Sequence, residues 1–369
     1  MTCGYDSCYL SLMEAAKKIP HIDLTSCDPP LYGFLPEESV IDEAISALRE
    51  GKIWYGDFRG EPSFLQSIDE YCSEKGGTPT SILVTHGVSE AFSLLARATK
   101  GTVLIPDPTY IPLYETFSFS RPVHFYPLLE TERWSLDEDS LRNSIGEDTH
   151  FLVIINPNSP TGRVFSEKEL KKVVDIAGEY GIILVSDEIY DGLSFMPFTS
   201  LLALSGDVPL IYLNGVSKIH RLPGFRLGYM VLSDPGNTQS EMWSRMEHLA
   251  RIRLSVSPIF QIAAAQALRH DPTEFHKAVK ARRNFCVEYL HERGIPVFPP
   301  EGTPYCFPPV PGDDWTFVGH LLKKGVLTTP GSSYGPVAAP GHFRFVFLQP
   351  HPVLKKALDI IQEVVKSVR

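Results

Sequence analysis

Four side chains with different chemistry lie near the ends of short apolar runs in this sequence. Lys218 follows one run, and Arg226 comes eight residues later. Asp187 follows another run, and Tyr190 comes three residues after it. Such runs are typical of buried strands, and ligands of open α/β sheets bind beyond the carboxyl ends of the strands. We therefore expect an amine, a guanidinium, a carboxylate and a phenol to meet at one site.

These four groups suit the cofactor pyridoxal phosphate. Its aldehyde requires a lysine, its ring nitrogen a carboxylate and its phosphate a cation. Asp187 has a second interpretation, a salt bridge to a nearby Arg or Lys, because an unpaired buried charge is costly. Tyr190, taken alone, would be a core tyrosine. The cofactor site is favoured because all four groups occur together.

Two further segments leave alternatives open. Gly87, Val88 and Ser89 follow a strand-like run and open a helical stretch, where free backbone N–H groups would hold a phosphate. The same segment could be an ordinary strand–turn–helix connection with Ser89 as the N-cap. Arg344 is a lone cation in an alternating apolar strand. It either faces the surface or clamps a carboxylate through two hydrogen bonds.

Seven continuous apolar runs predict the strands that position these groups. Continuous runs are typical of strands buried on both faces of a largely parallel sheet. Helical patterns alternate with them, and the clearest has the capping-box pair Ser166 and Glu169 and a stop at Gly181. The predicted strands are residues 82–85, 102–105, 123–126, 151–155, 182–186, 210–214 and 228–232.

This alternation predicts an α/β fold. We expect a large domain at residues 30–262, with a mostly parallel seven-stranded sheet sandwiched by helices. A smaller α+β domain is expected from residues 1–29 and 263–369. A long helical pattern at residues 258–293, broken near residues 270–272, leads into the second of these segments.

Composition and charge exclude several classes of protein. The 369 residues are 43% hydrophobic and 21% charged, as in globular soluble proteins. A net charge of −10 and the lack of a long Lys/Arg cluster argue against a nucleic-acid partner. No run approaches membrane-spanning length, and no signal peptide is recognisable. The six scattered cysteines are expected to be reduced thiols rather than metal ligands, so we expect a cytoplasmic protein without a metal or membrane partner.

Together, the motifs resemble the fold-type I, pyridoxal-phosphate-dependent aminotransferases of class I/II. Each motif alone is weak to moderate, but the ordered set covers nearly the whole chain and is specific. The matching segments are residues 55–60 (YGDFRG), 85–91 (THGVSEA), 106–110 (PDPTY), 156–162 (NPNSPTG), 187–190 (DEIY), 217–218 (SK) with Arg226, and 330–332 (PGS) with Arg344.

The resemblance implies the catalytic roles. Lys218 forms the Schiff base with pyridoxal 5'-phosphate and acts as general base. Asp187 pairs with the ring nitrogen, Tyr190 pairs with the ring hydroxyl, and Tyr110 stacks on the ring. Arg344 binds the α-carboxylate of the substrate.

The resemblance also implies the phosphate site and a homodimer. Phosphate ligands come from this chain and from Tyr55 of the partner subunit, although Tyr55 could equally pack within its own subunit. Cis peptide bonds are expected at Asp107–Pro108 and Ser159–Pro160. The implied phosphate ligands of this chain are Gly87, Val88, Ser89, Ser217 and Arg226.

Three positions depart from the family pattern. Ser159 stands where the family usually has Asn, so its ring-hydroxyl contact would run through water or be replaced by Asn158. Gly215 stands where the family often has Ser, which removes one phosphate hydroxyl. Cys27 replaces a Gly in the substrate-lining segment and is expected to narrow the pocket. Asn158 and Cys27 are therefore candidate substrate-binding residues beside Arg344.

A narrower likeness, to microbial alanine (glutamate–pyruvate) transaminases, rests on residues 29–34, 214–218 and 253–258. It implies transfer between alanine, or another small neutral amino acid, and 2-oxoglutarate. The alternatives are an aspartate or aromatic aminotransferase, or a β-lyase or decarboxylase of the same fold. An effector-binding regulatory module is disfavoured, because the motifs begin near residue 23 and leave no room for a DNA-binding segment.

Overall fold

The computed structural model of the protein describes residues 5–368, and the side chains of residues 9–368. The helices are α1 (Tyr5–Ala16), α2 (Glu38–Arg49), α3 (Pro62–Glu74), α4 (Gly87–Ala98), α5 (Ile111–Ser118), α6 (Glu138–Ser144), α7 (Glu167–Tyr180), α8 (Ser240–Ile252), α9 (Pro258–Ala267), α10 (Thr273–Glu292), α11 (Asp314–Lys323) and α12 (His351–Val368). The strands are β1 (Ile22–Asp23), β2 (Ser81–Thr85), β3 (Thr102–Asp107), β4 (Val123–Leu129), β5 (Ser135–Leu136), β6 (Thr149–Ile155), β7 (Ile183–Asp187), β8 (Leu210–Gly215), β9 (Gly228–Ser233), β10 (Tyr305–Cys306), β11 (Val326–Leu327), β12 (Thr329–Pro330) and β13 (Phe343–Val346).

The large sheet has the order β2-β9-β8-β7-β6-β3-β4-β5. Strands β8, β7, β6, β3 and β4 are parallel to one another, whereas β9 is antiparallel to both of its neighbours. All seven predicted strands are present. The prediction of seven strands was one short, because the two-residue strand β5 pairs with the end of β4. Its length leaves too little periodicity to recognise in the sequence.

Helices cover both faces of this sheet. Alternate strand residues point to opposite faces, so Leu184 and Val185 lie in different core clusters. Helices α3, α7 and α9 pack on the face of Leu184, and α4 and α8 pack on the other. The predicted capping box of α7 is confirmed, since Ser166 and Glu169 exchange side-chain hydrogen bonds with each other's backbone N–H. Gly181 ends the helix with φ of 65°, a conformation that glycine adopts without strain.

A separate core cluster joins residues from both ends of the chain. Strand β1 pairs with β11 through Ile22 and Val326, and β10, β13 and β12 form a three-stranded sheet. Helices α10, α11 and α12 pack around these strands. The domain limits at residues 30–262 stay a prediction. Helix α9 crosses residue 262 and packs in the large-sheet cluster through Ala267.

Other expectations concern surface and cysteine chemistry. Within residues 5–368, no helix is long and apolar enough to cross a membrane. The same residues contain no cluster of His, Cys, Asp and Glu that could hold a metal ion. Cys27, Cys72, Cys286 and Cys306 are free thiols. The side chains of Cys3 and Cys8 lie outside the described part of the chain.

Candidate active site

A cavity with about 710 Å³ of empty space opens at the carboxyl edge of the large sheet. Its size is in the range usual for small-molecule sites. It brings together most of the residues that the sequence analysis selected. Its walls are Gly87, Val88, Ser89, Tyr110, Ile155, Ser159, Asp187, Ile189, Tyr190, Ser217, Lys218, Pro223, Arg226, Leu227 and Tyr305.

Lys218 follows β8 on a tight turn. Its Nζ donates a hydrogen bond of 2.8 Å to the carbonyl oxygen of Cys27, so the N-terminal segment reaches the reactive amine. Gly215, at the end of β8, has a packing reason to be glycine. A Cβ there would lie 2.7 Å from the carbonyl oxygen of Leu227. With this backbone, a serine hydroxyl at position 215 has no room.

Asp187 ends β7 and is buried. Its Oδ1 accepts a hydrogen bond of 3.1 Å from the backbone N–H of Ile189. Burial raises the pKa of its carboxyl to about 7, and the positive charge of Lys218 acts in the opposite direction. Among the described side chains, no Arg or Lys forms an ion pair with Asp187, so the salt-bridge interpretation was wrong. A cationic N–H donor in the cavity would restore the ionised carboxylate.

Tyr190 also lines the cavity and is buried. Its hydroxyl is hydrogen-bonded to the hydroxyl of Tyr305 and lies 3.9 Å from the sulfur of Cys27. Burial raises the pKa of Tyr190 well above its ordinary value. The phenol therefore stays protonated at neutral pH and can donate a hydrogen bond into the cavity.

The start of α4 forms an anion cradle with Arg226. Gly87 has φ of 69°, and a Cβ there would lie 2.9 Å from Nη2 of Arg226. Gly228 is equally constrained, since its Cβ would lie 2.5 Å from the carbonyl carbon of Gly87. The helix begins at Gly87 with His86 as N-cap, so the interpretation of Ser89 as N-cap was wrong. Unpaired N–H groups at a helix start and a guanidinium together favour a phosphate.

The turn after β6 places a serine at the cavity. Oγ of Ser159 is buried, lines the cavity and has no protein partner. Asn158 does not line the cavity, and its Oδ1 accepts the hydroxyl of Thr161 at 2.7 Å. Cis peptide bonds occur at Asn156–Pro157 and Ser159–Pro160, of which the first was not predicted. Nδ2 of Asn158 is also buried without a partner among the described residues, so both side chains keep a polar group for a ligand, and Ser159 is the one that lines the cavity.

Tyr110 reaches the cavity from the turn after β3, behind the predicted cis bond between Asp107 and Pro108. The buried carboxylate of Asp107 anchors this turn to a distant loop. Its Oδ2 accepts the N–H groups of Val337 at 2.7 Å and Ala338 at 3.0 Å. This anchor has no signal in the sequence, because the interacting donors are backbone groups.

Arg344 lies beside the cavity, behind Tyr305, and is buried. Nη2 donates to the carbonyl oxygen of Thr25 at 2.5 Å. Its Cζ is 4.6 Å from the ring centroid of Tyr305 and 5.4 Å from that of Tyr334. The surface-facing interpretation was therefore wrong, and the clamp interpretation stays a prediction. Nε is buried and has no partner among the described residues, so the guanidinium keeps donors for a ligand.

Tyr55 and Cys27 lie outside the cavity walls. Tyr55 is 80% exposed, so the alternative of a tyrosine packed within its own subunit was wrong. Cys27 is half-buried. Its carbonyl oxygen accepts the hydrogen bond from Lys218, and its sulfur lies 3.9 Å from the hydroxyl of Tyr190.

A buried polar network behind the site was also missed. Asp191 accepts hydrogen bonds from Tyr71 at 2.7 Å and Asn214 at 3.1 Å, and forms an ion pair with Lys75 at 2.9 Å. This network ties α3 to the turn after β7, which carries Tyr190, and to β8, which leads into Lys218. The positions of Lys75 and Asp191 in the sequence give no sign of the pairing, since 116 residues separate them.

The residues present fit pyridoxal phosphate. The cavity offers a lysine amine, and the buried carboxyl of Asp187 requires a cationic partner. The Oγ of Ser159, unpartnered among the described residues, is free to bond a polar ligand atom, and the glycine cradle beside Arg226 matches a phosphate.

Comparisons with known proteins agree with this fit. A family model for aminotransferases of class I and II matches residues 20–361. The aspartate aminotransferase of Thermotoga maritima is 32% identical over 358 residues, which cover 94% of this chain and 92% of that protein. Glutamate-pyruvate aminotransferase AlaA of Escherichia coli is 31% identical over 361 residues, covering 91% and 88%. A solved structure of an alanine aminotransferase from Pyrococcus furiosus has a TM-score of 0.92 and 35% identity, covering 98% of this chain and 97% of that one.

Proposed function

Because the chain belongs to the class I and II aminotransferase family, whose members depend on pyridoxal phosphate, we propose that it transfers the amino group of alanine to 2-oxoglutarate. The amino-group transfer itself follows from the family. The choice of alanine is supported by the relatives named as alanine or glutamate–pyruvate enzymes, although others are named for aspartate. The single observation that carries the proposal is the shared cavity of Lys218, Asp187 and Arg226.

We assign the following roles to the residues of this cavity. The cofactor, when bound, supplies an aldehyde that accepts the amino group and a ring that withdraws electrons. Lys218, once released, takes the α-proton of the substrate with its amine. Asp187 keeps the ring nitrogen protonated, and Tyr190 donates to the ring hydroxyl. Arg344 orients the substrate carboxylate, which fixes the direction of the Cα–H bond.

The remaining site residues hold the ring and the phosphate. Tyr110 stacks on the ring and Ser159 faces its hydroxyl. The phosphate is held by Gly87, Val88, Ser89, Ser217 and Arg226. Asn158, whose Nδ2 has no partner among the described residues, is the second candidate donor to the ring hydroxyl, as expected from the sequence.

A second substrate carboxylate would be stabilised by a second cation, and Arg59 and Arg253 are the arginines of the matching segments 55–60 and 253–258. Arg59 pairs with Glu247 at 2.8 Å, and Arg253 pairs with Glu90 at 2.7 Å. Neither lines the cavity among the described residues. The distal carboxylate of 2-oxoglutarate has the same requirement as that of aspartate, so the proposal of alanine rests on the relatives named as alanine or glutamate–pyruvate enzymes.

The amino-acid preference can be measured on the holoenzyme. Alanine is expected to remove the visible absorption band of the lysine-linked cofactor faster than aspartate, glutamate or phenylalanine in single-turnover experiments. Other small neutral amino acids should follow closely, since one methylene changes pocket discrimination by only about 1–3 kcal/mol. A rate with aspartate or phenylalanine more than about tenfold above that with alanine would contradict the proposal.

The same assay separates transamination from elimination, the main alternative. A transaminase leaves the amino group on the cofactor and yields one equivalent of pyruvate from alanine. A lyase would release pyruvate and ammonia from cysteine or cystathionine while the visible band persists. That second outcome would assign the protein to the lyases.

We also propose that the active enzyme is a homodimer in which Tyr55 completes the phosphate site of the partner subunit. Tyr55 is 80% exposed, and the adjacent Ile53 and Trp54 are 74% and 56% exposed. Leu31 and Leu35, also on the surface, are 70% and 63% exposed. Exposed apolar side chains of this density are typical of an interaction surface.

Mixed dimers test the shared site. Lys218→Ala and Tyr55→Ala subunits are each expected to have little activity alone. If Tyr55 acts across the interface, each hybrid dimer contains one intact site, and a 1:1 mixture should recover about a quarter of the wild-type activity. If Tyr55 acts within its own subunit, no site in the mixture is intact, and activity should not return. Tyr180→Ala, another exposed tyrosine, is the control for nonspecific surface effects.

The cytoplasm is the proposed compartment. Four cysteines are free thiols, and Cys27 lies beside the reactive lysine. Thiols in such positions persist in a reducing compartment.

A further inference from the structure

Tyr305, which lies outside the recognised motifs, contacts both Tyr190 and Arg344. Tyr305 lies on β10, which pairs with β13, the strand that carries Arg344. Its hydroxyl is hydrogen-bonded to that of Tyr190, and the two rings meet edge to face with centroids 5.6 Å apart. Its ring faces Arg344, whose Cζ is 4.6 Å from the centroid. The same residue lines the cavity of Lys218.

We propose that Tyr305 is a positioning residue for two partners: its hydroxyl turns the proton of Tyr190 toward the cofactor, and its ring holds the guanidinium of Arg344. The inference rests on the proposed roles of Tyr190 and Arg344. It adds that one side chain couples Tyr190, which binds the cofactor, to Arg344, which binds the substrate carboxylate.

The hydrogen bond between the two hydroxyls has one favoured direction when the cofactor is bound: Tyr305 donates and Tyr190 accepts. Burial raises the pKa of both phenols, so Tyr190 and Tyr305 each carry one proton. Only one of these protons can lie between the two oxygens. When Tyr305 donates, the proton of Tyr190 is free for the cavity, and a hydroxyl that accepts a hydrogen bond becomes a stronger donor. Cys27 competes weakly, because its sulfur is 3.9 Å away and sulfur is a poor acceptor.

The ring of Tyr305 holds the buried guanidinium of Arg344 in place. Arg344 is held from one side by the carbonyl oxygen of Thr25 and lies between the rings of Tyr305 and Tyr334. A guanidinium over an aromatic face is stabilised most when it is removed from water. The ring of Tyr305 is the nearer of the two and is the one that lines the cavity.

The first experiment is a pH titration of the visible absorption band of the holoenzyme. The midpoint reports the pKa of the linkage between Lys218 and the cofactor. Tyr305→Phe keeps the ring and removes only the hydroxyl, which weakens Tyr190 as a donor to the ring oxygen. That oxygen then attracts the linkage proton more strongly, so the midpoint should rise by about half to one pH unit. The charged or titratable groups around Tyr190 and the cavity, which Tyr305→Phe leaves in place, are Cys27, Tyr110, Asp187, Lys218, Arg226 and Arg344.

Coupling through Tyr190 distinguishes positioning from a general structural effect. In a Tyr190→Phe background, Tyr305→Phe should cause no further shift of the titration midpoint, because the hydroxyl of Tyr190 that transmits the effect is absent. An equal shift in both backgrounds, or no shift in the single variant, would overturn the hydroxyl role. Tyr334→Phe is the matched control, since it also lies beside Arg344 but its hydroxyl does not contact Tyr190. Its midpoint should match that of the wild type.

The ring role is tested by the amino-acid KM. Tyr305→Phe should leave KM for alanine unchanged, whereas Tyr305→Leu and Tyr305→Met should raise it about tenfold. An unchanged KM in a Leu or Met variant that binds cofactor would overturn the ring role. A wild-type protein that forms no visible band with Lys218 would instead refute the proposed function, so the two failures are distinguishable.

Discussion

Lys218→Ala is expected to bind the cofactor and yet lose at least about 10⁴-fold in turnover. The substitution removes both the covalent attachment and the amine that takes the α-proton. Cofactor binding should persist, because the contacts of Asp187, Tyr190 and Arg226 do not depend on the lysine. Stopped-flow absorbance with alanine measures the loss, and equilibrium dialysis measures the retained binding.

Chemical labelling gives an independent measurement of the same assignment. Borohydride reduction of the wild-type holoenzyme should fix the cofactor to the peptide that contains Lys218. Lys171, which is exposed on α7 and paired with Glu167, supplies the matched control. Lys171→Ala should retain full activity and the same labelled peptide. A label on any other lysine would refute the assignment.

Asp187→Asn is expected to slow proton transfer by at least about 10²-fold while cofactor binding changes much less. An amide can contact the ring nitrogen but cannot hold it as a cation, so the ring withdraws electrons less effectively. Burial raises the pKa of Asp187 to about 7, which means that its charge depends on a cationic partner. The isotope effect with Cα-deuterated alanine should therefore increase, because proton transfer becomes fully rate-limiting.

The neighbouring acid is the matched control for this substitution. Glu188 is also buried, and burial raises its pKa to about 7, but its Oε1 accepts from Ser186 at 2.8 Å and from the N–H of Leu201 at 2.9 Å. It does not line the cavity. Glu188→Gln should keep the wild-type isotope effect. A near wild-type rate in Asp187→Asn would show that the ring nitrogen has another partner.

Continuous apolar runs made the large sheet predictable, because burial on both faces leaves a strong local signal. All seven long strands were predicted, whereas the two-residue strand β5 was not. The strand order of the large sheet also explains why Asp187 and Lys218 could be found from the sequence. Asp187 is the last residue of β7, and Lys218 follows β8. These two strands are neighbours in the sheet.

Contacts between distant segments could not be predicted in the same way. Tyr305 and Arg344 are brought to the site by antiparallel pairing of short strands, and nothing in their local sequence encodes that pairing. The choice between Asn158 and Ser159 depends on turn geometry, which spacing alone does not determine. Gly215 departs from the family pattern in the sequence. The cause of this departure is the close approach of the carbonyl oxygen of Leu227, a contact that the local sequence does not encode.

The hydrogen bonds that Thr25 and Cys27 accept have a consequence for how the protein is made. Arg344 is 319 residues from Thr25, and Lys218 is 191 residues from Cys27. A chain growing on the ribosome can complete the large sheet, with Asp187 and Lys218 in place, about a hundred residues before Arg344 is synthesised. We therefore expect a nascent chain to place Asp187, Lys218 and Arg226 before Tyr305 and Arg344, so that the cofactor-binding residues of the large sheet are in position before the substrate clamp.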